Sequence, residues 1–204
     1  MELINIIGAN GHGKVVIDAI RSSMPGVKII VQDDDIEINH CMDLPVIHDL
    51  SALDPGGFLL FAVGNNSIRK NLAKKYAAKF KFPPAIIHRS AVVSRLSSIG
   101  PGSVVFANAV INTEAWIGNH VIVNTGAVIE HECQVEDYVH ISPRVALGGD
   151  VRIGEGTHIG IGASVIQGVK IGKWSTIGAG AVVIDDIPDN CTAVGVPARP
   201  IKFH

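Results

Sequence analysis

Val, Ile or Leu occupies every sixth position from Val93 to Val183, sixteen positions in one unbroken register. A small or β-branched residue stands two places before each of them, from Ala91 at the start to Ala181 at the end. A period of six fits neither a helix of 3.6 residues per turn nor a simple strand alternation. It is the period of a hexapeptide β-helix, in which three short sides form each coil and the aliphatic residue of each side points inward. The pattern therefore predicts a solenoid of about five coils.

The first 85 residues follow a different pattern. Short apolar strand candidates alternate there with segments of helical periodicity, in the order 3–7, 15–20, 27–31, 58–63 and 67–80. Strands that alternate with helices indicate a small parallel α/β unit. We therefore expect a mixed fold. A Rossmann-like α/β domain over residues 1–85 is followed, over residues 86–204, by the β-helix and a short carboxyl-terminal tail.

The composition narrows the classes of function. A formal net charge of −2 and an isoelectric point near 6.5 give no electrostatic reason to expect nucleic acid or an anionic membrane as partner. The chain has no apolar run long enough for a membrane span, and its amino terminus lacks the layout of a signal peptide. Cys41, Cys133 and Cys191 form an odd, widely spaced set that suits a reducing cytoplasm. Cys133 occupies a small inward position of the repeat, which favours packing over a nucleophilic role.

A glycine turn follows the first strand candidate. Its spacing, Gly8-x-x-Gly11-x-Gly13, differs from the dinucleotide fingerprint. Glycines still let backbone amides approach a phosphate, and the helix that follows offers its amino terminus. Asp33 and Asp34 end the second strand candidate, where an acid can accept a hydrogen bond from ribose hydroxyls. The pattern favours a nucleotide or nucleotide-sugar site, while a tight turn beside an exposed acidic loop and an NAD site remain open.

A histidine between two glutamates is the candidate for chemistry in the solenoid. His131 stands two places past the inward-facing Ile129, so it lies at a corner and points to solvent or to a neighbouring chain. An outward histidine beside a carboxylate is what general base catalysis near neutral pH requires. Either Glu130 or Glu132 could hold its ring in one tautomer. An ordinary surface histidine is the alternative interpretation.

Two further histidines are one full coil apart. We expect His140 and His158 to stack on one side of the solenoid, at roughly the 4.7–4.9 Å spacing between strands. Stacked outward histidines could ligate zinc, as in the carbonic anhydrases built on the same solenoid, which gather three histidines. Here neither His120 nor His131 stands at a suitable spacing to be the third, so we expect no metal site.

Several of these motifs together resemble a known family. The sequence is similar to the bacterial sugar O- and N-acetyltransferases of the sialic acid O-acetyltransferase type. It most resembles the enzymes that acetylate the 4-amino group of a UDP-linked 4-amino-4,6-dideoxy-sugar on the way to N,N′-diacetylbacillosamine. The motifs that support the resemblance are Gly8-x-x-Gly11-His12-Gly13, Asp33-Asp34, Gly64-Asn65-Asn66-x-Ile68-Arg69-Lys70, Asn124, Ile129-Glu130-His131-Glu132-Cys133, His140 and Gly195-Val196-Pro197-Ala198.

The resemblance implies a left-handed parallel β-helix and a homotrimer, with acetyl-CoA in the cleft between two adjacent solenoids. His131 would be the general base and Glu132 its orienting partner. The residues implied in binding acetyl-CoA are His140, Gly149, through its backbone amide, and Ile161. The residues implied in binding the nucleotide-sugar acceptor are Gly11, His12, Gly13, Asp33, Asp34, Asn65 and Asn124.

The function expected from the residues and the resemblance is direct acetyl transfer in the cytoplasm. His131 takes a proton from the acceptor amine as the amine attacks the thioester, and no acyl-enzyme is needed. The main alternative is the same chemistry on a hydroxyl of sialic acid or a related sugar. A zinc-dependent lyase on this solenoid and a non-catalytic sugar-nucleotide binding module are the alternatives from other classes. The sequence does not distinguish UDP from CMP as the nucleotide of the acceptor.

Overall fold

The computed structural model describes all 204 residues and shows an α/β unit followed by a β-solenoid. A buried apolar sheet and two helices form the α/β unit. Its elements are β1 Leu3–Ile7, α1 Gly11–Ser23, β2 Lys28–Gln32, β3 His40–Cys41, β4 Leu44–Ile47, a 3₁₀ turn Leu50–Ala52, β5 Phe58–Phe61 and α2 Asn66–Tyr76.

The sheet of the α/β unit has the strand order β3-β4-β2-β1-β5. Strands β4, β2, β1 and β5 are parallel, and β3 pairs antiparallel with β4 at the edge. In the central strand β1, Ile4 and Ile6 are fully buried, as expected for a strand covered on its faces. Because these strands are parallel, the loops after β1, β2 and β5 meet at one edge of the sheet, which is where ligands bind in such folds.

Seventeen strands of two residues, β6 to β22, build the solenoid. They stack in parallel ladders that form three faces. The first face contains β6 Ile86–Ile87, β9 Val104–Val105, β12 Ile122–Val123, β15 His140–Ile141, β18 His158–Ile159 and β21 Thr176–Ile177. The second face contains β7 Val92–Val93, β10 Val110–Ile111, β13 Val128–Ile129, β16 Ala146–Leu147, β19 Ser164–Val165 and β22 Val182–Val183. The third face contains β8 Ser98–Ile99, β11 Trp116–Ile117, β14 Gln134–Val135, β17 Arg152–Ile153 and β20 Lys170–Ile171.

The interior of the solenoid is the expected stack of aliphatic residues. Fourteen of the sixteen periodic positions, from Val105 to Val183, are buried. The first two, Val93 and Ile99, pack against this core while partly exposed. A hairpin of β23 Cys191–Gly195 and β24 Ala198–Phe203 closes the carboxyl-terminal end. The β-solenoid and the α/β unit predicted from the sequence are thus confirmed.

Most corners of the solenoid contain one residue with positive φ. These residues also recur every six positions, from Gly102 to Gly180. Several are not glycine, including His120, Glu132 and Tyr138, although a left-handed backbone costs such residues energy. The tight corners therefore impose the conformation, and side chains such as that of Glu132 project outward from them.

The α/β unit packs against the first face of the solenoid. Val104 and Ile122 on that face form one buried cluster with Ile17 and Ile20 of α1. The second and third faces receive no such cover. Neither helix is long and apolar enough to cross a lipid bilayer.

Candidate active site

His131 and Glu132 form a hydrogen-bonded pair at the corner between the second and third faces, after β13. Nδ1 of His131 lies 2.9 Å from Oε2 of Glu132, and the two side chains are 54% and 59% exposed. Because a carboxylate only accepts hydrogen bonds, the proton of the neutral ring resides on Nδ1. The lone pair of Nε2 then faces outward, ready to accept a proton. Glu132, rather than Glu130, is therefore the glutamate that is hydrogen-bonded to the ring.

The neighbours of this pair leave room for chemistry. Oε2 of Glu130 accepts a hydrogen bond from Asn112 at 2.8 Å, one coil away. One coil above His131 stands Gly149, where a Cβ atom would lie 2.5 Å from Cε1 of the imidazole. Only glycine therefore leaves space for the ring. The amide of Gly149 has no hydrogen-bond partner within the chain, so an N–H donor lies free beside the histidine.

A second group of histidines lies on the first face. The rings of His140 and His158 stack with centroids 4.8 Å apart, as the eighteen-residue spacing predicts. Asn124 approaches Nε2 of His140 with its amide nitrogen at 3.2 Å, and Ser142 approaches Nε2 of His158 with its hydroxyl at 2.8 Å. His12, from the glycine turn, brings its ring centroid within 6.3 Å of that of His140. Three of the predicted binding residues thus lie close together, namely Asn124, His140 and His12.

Burial keeps this second group uncharged. It lowers the pKa of His140 to about 3, with further lowering from His158, Arg69 and His12. It likewise lowers the pKa of His12 to about 4, and that of His158 falls for the same reason. Nδ1 of His140 and Nε2 of His12 are buried and have no hydrogen-bond partner within the chain. Two neutral rings thus present unpaired nitrogens at the junction of the α/β unit and the solenoid.

A cavity of about 520 Å³ opens at the edge of the sheet where the loops after β1, β2 and β5 meet. Asn10, His12, Asp33, Asp34 and Gly64 line it together with an apolar wall of Ile7, Leu50, Ala62, Val63, Ile68, Leu72 and Tyr76. His12 lines the cavity and also approaches His140, so the cavity reaches toward the first face of the solenoid.

The two acids of this cavity differ in their surroundings. Asp33 is buried, and its carboxylate accepts hydrogen bonds from the amides of Ala9 at 2.7 Å and Asp35 at 3.0 Å. It therefore holds the glycine turn in place. Asp34 is exposed and makes no hydrogen bond within the chain, so its carboxylate is the one free to meet a ligand.

Besides Asn124, His140 and Gly149, four of the predicted binding residues do not line the cavity. Gly13 is packed inside the turn, because a Cβ there would lie 2.5 Å from the carbonyl oxygen of Gly8. Gly11 is exposed at the start of α1, and Ile161 is exposed at the corner between the first and second faces. Asn65 is the N-cap of α2, where its side chain accepts from the amide of Ile68 at 3.0 Å. Their roles in binding stay predictions.

Other residues of the cavity gave no signal in the sequence. One side of α2 carries Ile68, Leu72 and Tyr76. In the sequence, this spacing indicates only an ordinary apolar side of a helix. Lys75 lines the cavity as well and supplies a positive charge near Asp34. The periodicity of α2 could have indicated this surface, but only the docking of the helix shows that it faces a ligand cavity.

A larger cavity lies elsewhere. A groove of about 970 Å³ runs along the third face, past Trp116, Gln134 and Arg152. None of the predicted site residues lines it, and its wall mixes acidic and basic side chains without a hydrogen-bonded pair like that of His131. We therefore do not assign the chemistry to it. No group of three or more His, Cys, Asp or Glu is placed to hold a metal ion.

The two histidine groups lie on opposite sides of the solenoid. His131 is at the corner between the second and third faces, whereas His140 is on the first face, across the triangular section. Six residues per side, at about 3.3 Å each, make a side of roughly 20 Å, so a corner and its opposite face are on the order of 15 Å apart. One chain therefore does not bring His131 to the cavity of its own α/β unit.

Two protein-family models match segments of this chain. Residues 3–76 match the family model described as the PglD N-terminal domain. Residues 150–185 match the bacterial transferase hexapeptide model of six repeats. The two matched segments coincide with the α/β unit and the carboxyl-terminal coils.

Solved structures extend the likeness to the whole chain. The acetyltransferase domain of PglB from Neisseria gonorrhoeae FA1090 is 39% identical with a TM-score of 0.92, covering 98% of this chain and 100% of that one. PerB from Caulobacter crescentus, in complex with CoA and GDP-perosamine, is 39% identical with a TM-score of 0.91, covering 99% of this chain and 98% of that one. A structure of the Neisseria domain also contains acetyl coenzyme A.

A curated relative points the same way. UDP-N-acetylbacillosamine N-acetyltransferase of Bacillus subtilis (strain 168) is 44% identical over 110 residues. That match spans 51% of this chain and 51% of the relative. The fold and the full-length likeness define a hexapeptide-repeat acetyltransferase. The chain belongs to the PglD-type bacterial sugar acetyltransferases, a family of left-handed β-helix enzymes. Among them, the Neisseria domain has been solved with acetyl coenzyme A and PerB with CoA. The family membership expected from the sequence is confirmed.

Proposed function

We propose that the protein transfers the acetyl group of acetyl-CoA to the 4-amino group of a nucleotide-linked 4-amino-4,6-dideoxy-sugar. The observation that supports this most directly is the His131–Glu132 pair, with its free Nε2 beside the unbonded amide of Gly149. The relatives support the acceptor class, since one is a UDP-N-acetylbacillosamine N-acetyltransferase and another was solved with GDP-perosamine bound.

The chemistry requires one base and one oxyanion donor. Nε2 of His131 takes a proton from the acceptor amine as its nitrogen attacks the thioester carbonyl. Glu132 holds the ring through Nδ1 and stabilises the imidazolium that results. The amide of Gly149 is the donor for the developing oxyanion, since it is unpaired and adjacent to the ring.

The tetrahedral intermediate formed by this attack then breaks down into the products. The new bond joins the sugar nitrogen to the acetyl carbon, and the carbon–sulfur bond to coenzyme A breaks. The proton held on Nε2 of His131 passes to the departing thiolate, which restores the neutral base. No acyl-enzyme forms: Cys133 is fully buried, and burial raises the pKa of its thiol to about 11.

The cavity of the α/β unit suits the nucleotide of the acceptor. Asp34 offers a free carboxylate for ribose hydroxyls, Lys75 offers a positive charge, and the first turn of α1 offers backbone amides to the diphosphate. His12, at the inner end, leads to Asn124 and His140. We assign the sugar to this junction, where neutral rings with unpaired nitrogens meet its hydroxyl or amino groups.

The opposite placement of the two histidine groups implies that two chains build each site. The base of one copy must reach the cavity on the first face of a neighbour, because its own cavity lies across the solenoid. The outward residues of the second face are small or aliphatic, namely Val92, Val110, Val128, Ala146, Ser164 and Val182, with Val92 65% exposed. Packing this face around a common axis closes a ring. We propose a homotrimer with acetyl-CoA between neighbours, along Ile161 of one copy and Gly149 of the next.

A cytoplasmic location fits this chemistry. All three cysteines are free thiols, which is typical of a reducing compartment. Acetyl-CoA and nucleotide-linked sugars are both substrates of that compartment.

Release of free thiol from acetyl-CoA tests the proposal. The acceptor panel contains UDP- and GDP-linked 4-amino-4,6-dideoxy-sugars, CMP-sialic acid and free sialic acid. We expect turnover with a nucleotide-linked 4-amino-sugar and none with the sialic acids. Turnover with a sialic acid alone would replace amine transfer with hydroxyl transfer. A panel without any turnover would refute the proposed function.

A further inference from the structure

Arg69 of α2 is fully buried between the α/β unit and the solenoid, with an exposure of 1% and no carboxylate partner. Its guanidinium donates instead to backbone carbonyls and one amide oxygen. Nε donates to His120 O at 2.8 Å and Nη1 to Val63 O at 2.9 Å. Nη2 donates to Tyr138 O at 2.8 Å and to Oδ1 of Asn66 at 2.9 Å. Buried cations are rare unless they are paired, so this arrangement needs an explanation.

The carbonyl acceptors on the solenoid follow its own repeat. His120 and Tyr138 are one coil apart at the corner between the third and first faces. Asn66 continues the series, because its Nδ2 donates to Gly156 O at 2.9 Å, one coil further on. Two side chains of one helical turn thus bind equivalent carbonyls on three successive coils, which sets the height of α2 along the solenoid.

The same guanidinium also binds the wall of the nucleotide cavity. Val63 and Gly64 follow β5 and line the cavity, and Nη1 of Arg69 donates to both of their carbonyls, at 2.9 Å and 3.3 Å. Ile68, the preceding residue, lines the cavity as well. Arg69 therefore connects the cavity wall to the solenoid through direct hydrogen bonds.

The chemistry of arginine explains why this position needs it. A guanidinium presents five N–H donors in a rigid plane, enough to bind carbonyls in several directions at once. Lysine offers a single compact donor group, and an apolar residue would leave the buried carbonyls unpaired. Lys70, one residue on, contacts the same corner differently: its ammonium pairs with Glu155 and lies over the ring of Trp174, away from the cavity wall.

We propose that Arg69, with Asn66 beside it, is a positioning residue that fixes the nucleotide cavity on the solenoid, so that the acceptor reaches the first face in the correct place. This inference rests on the proposed function. It predicts that Arg69 acts on the acceptor and leaves acetyl-CoA binding unchanged, since Gly149 and Ile161 lie at other corners. His140, which the sequence resemblance placed at acetyl-CoA, is assigned in our proposal to the sugar of the acceptor instead.

The variants Arg69→Lys and Arg69→Met test the proposal, with Lys70→Met as the matched control from the same turn. We expect either Arg69 variant to raise KM for the nucleotide-sugar roughly tenfold or more, because small misplacements of a bound group have large kinetic effects. KM for acetyl-CoA should stay within about twofold, as expected for binding that uses separate residues. Arg69→Lys should be the milder of the two. Lys70→Met should leave both KM values unchanged.

Two measurements separate this outcome from a purely structural role. Hydrogen exchange in the Arg69 variants should rise over residues 62–68, and calorimetry should show weaker binding of UDP or GDP. A folded Arg69→Lys protein with unchanged exchange and unchanged nucleotide affinity would overturn the proposal. If Arg69→Met does not fold, Arg69→Lys and Asn66→Ala decide the question. If the wild type turns over no acceptor, the proposed function fails, and exchange over residues 62–68 still decides whether Arg69 holds the cavity wall.

Discussion

The two histidine groups of this chain lie in opposite surroundings. His131 is at an exposed corner, hydrogen-bonded to a carboxylate. His140 is half-buried, stacks on His158 and has His12 nearby, and burial lowers its pKa to about 3. A general base must become a cation during each turnover, which solvent and a carboxylate permit and burial opposes. The comparison therefore supports our proposal that the exposed ring transfers the proton and the less exposed rings form hydrogen bonds.

Removing the exposed ring should have the largest effect. We expect His131→Ala to lower kcat by roughly 10²–10⁴ while the assembly stays intact, the range for loss of a general base. Thiol release measures kcat, and sedimentation measures the assembly. A variant with nearly wild-type kcat at neutral pH would remove His131 from the mechanism and undo the comparison.

Mixing two defective chains tests whether the groups act across a subunit boundary. His131→Ala lacks the base, and Asn124→Ala/His140→Ala lacks the binding group on the first face. After the two inactive proteins are unfolded and refolded together in equal amounts, about one quarter of the sites in a cyclic assembly should combine both intact halves. We expect activity to return toward that fraction of wild type. No recovery in mixed assemblies would show that each site comes from a single chain.

The buried rings should make the protein sensitive to acid. Burial lowers the folded-state pKa of His12 and His120 to about 4 and that of His140 to about 3, against 6.5 in the unfolded chain. Below pH 6.5 the unfolded chain therefore binds more protons, so stability is full above that pH and falls toward the folded-state values. For His120, which is 4% exposed, the loss should be on the order of 1–3 kcal/mol by pH 4.

Thermal unfolding between pH 7.5 and pH 4.5 measures this loss. His120→Asn, which tolerates the positive φ of that corner, should flatten the dependence of Tm on pH. The exposed His40 provides the control, and His40→Asn should leave the slope unchanged. Equal slopes for all three proteins would contradict a neutral, buried His120.

The smallest expected effect separates the two acids of the nucleotide cavity. Asp34→Ala should raise KM for the acceptor by roughly two- to twelvefold, the range for one hydrogen bond of about 0.5–1.5 kcal/mol, with unchanged Tm. Asp33→Ala should lower Tm as well, because its carboxylate holds the amide of Ala9. A folded Asp34→Ala protein with an unchanged acceptor KM would favour an acceptor without a nucleotide.

Much of the site was predictable because it follows the repeat. The inward Ile129 places His131 at a corner two residues later, and one coil of eighteen residues places His158 over His140. The residues alone left Glu130 and Glu132 open, and only the family resemblance implied Glu132. The choice between them depends on Asn112, one coil away, which engages the other carboxylate.

Other parts of the site depend on docking between distant segments. Arg69 lies in a helix whose charged pattern indicates a solvent-exposed side, yet the first face of the solenoid buries it completely. Asp33 follows a strand at the position expected of a ribose-binding acid, yet its carboxylate accepts a hydrogen bond from the backbone amide of Ala9. Sequence spacing does not reveal these partners, because they are set by how two independently folded surfaces meet.

The sequence by itself determined the solenoid, its inward core, the corner position of His131 and the class of enzyme. In a six-residue repeat each side chain's environment follows from its own place in the period, so local spacing is sufficient. Only the tertiary structure decided that His12 meets His140, that Arg69 and Asn66 bind carbonyls on three coils, and that His131 lies across the solenoid from the cavity of the α/β unit. Those contacts join residues far apart in the chain, and packing and hydrogen bonding between the α/β unit and the first face select them.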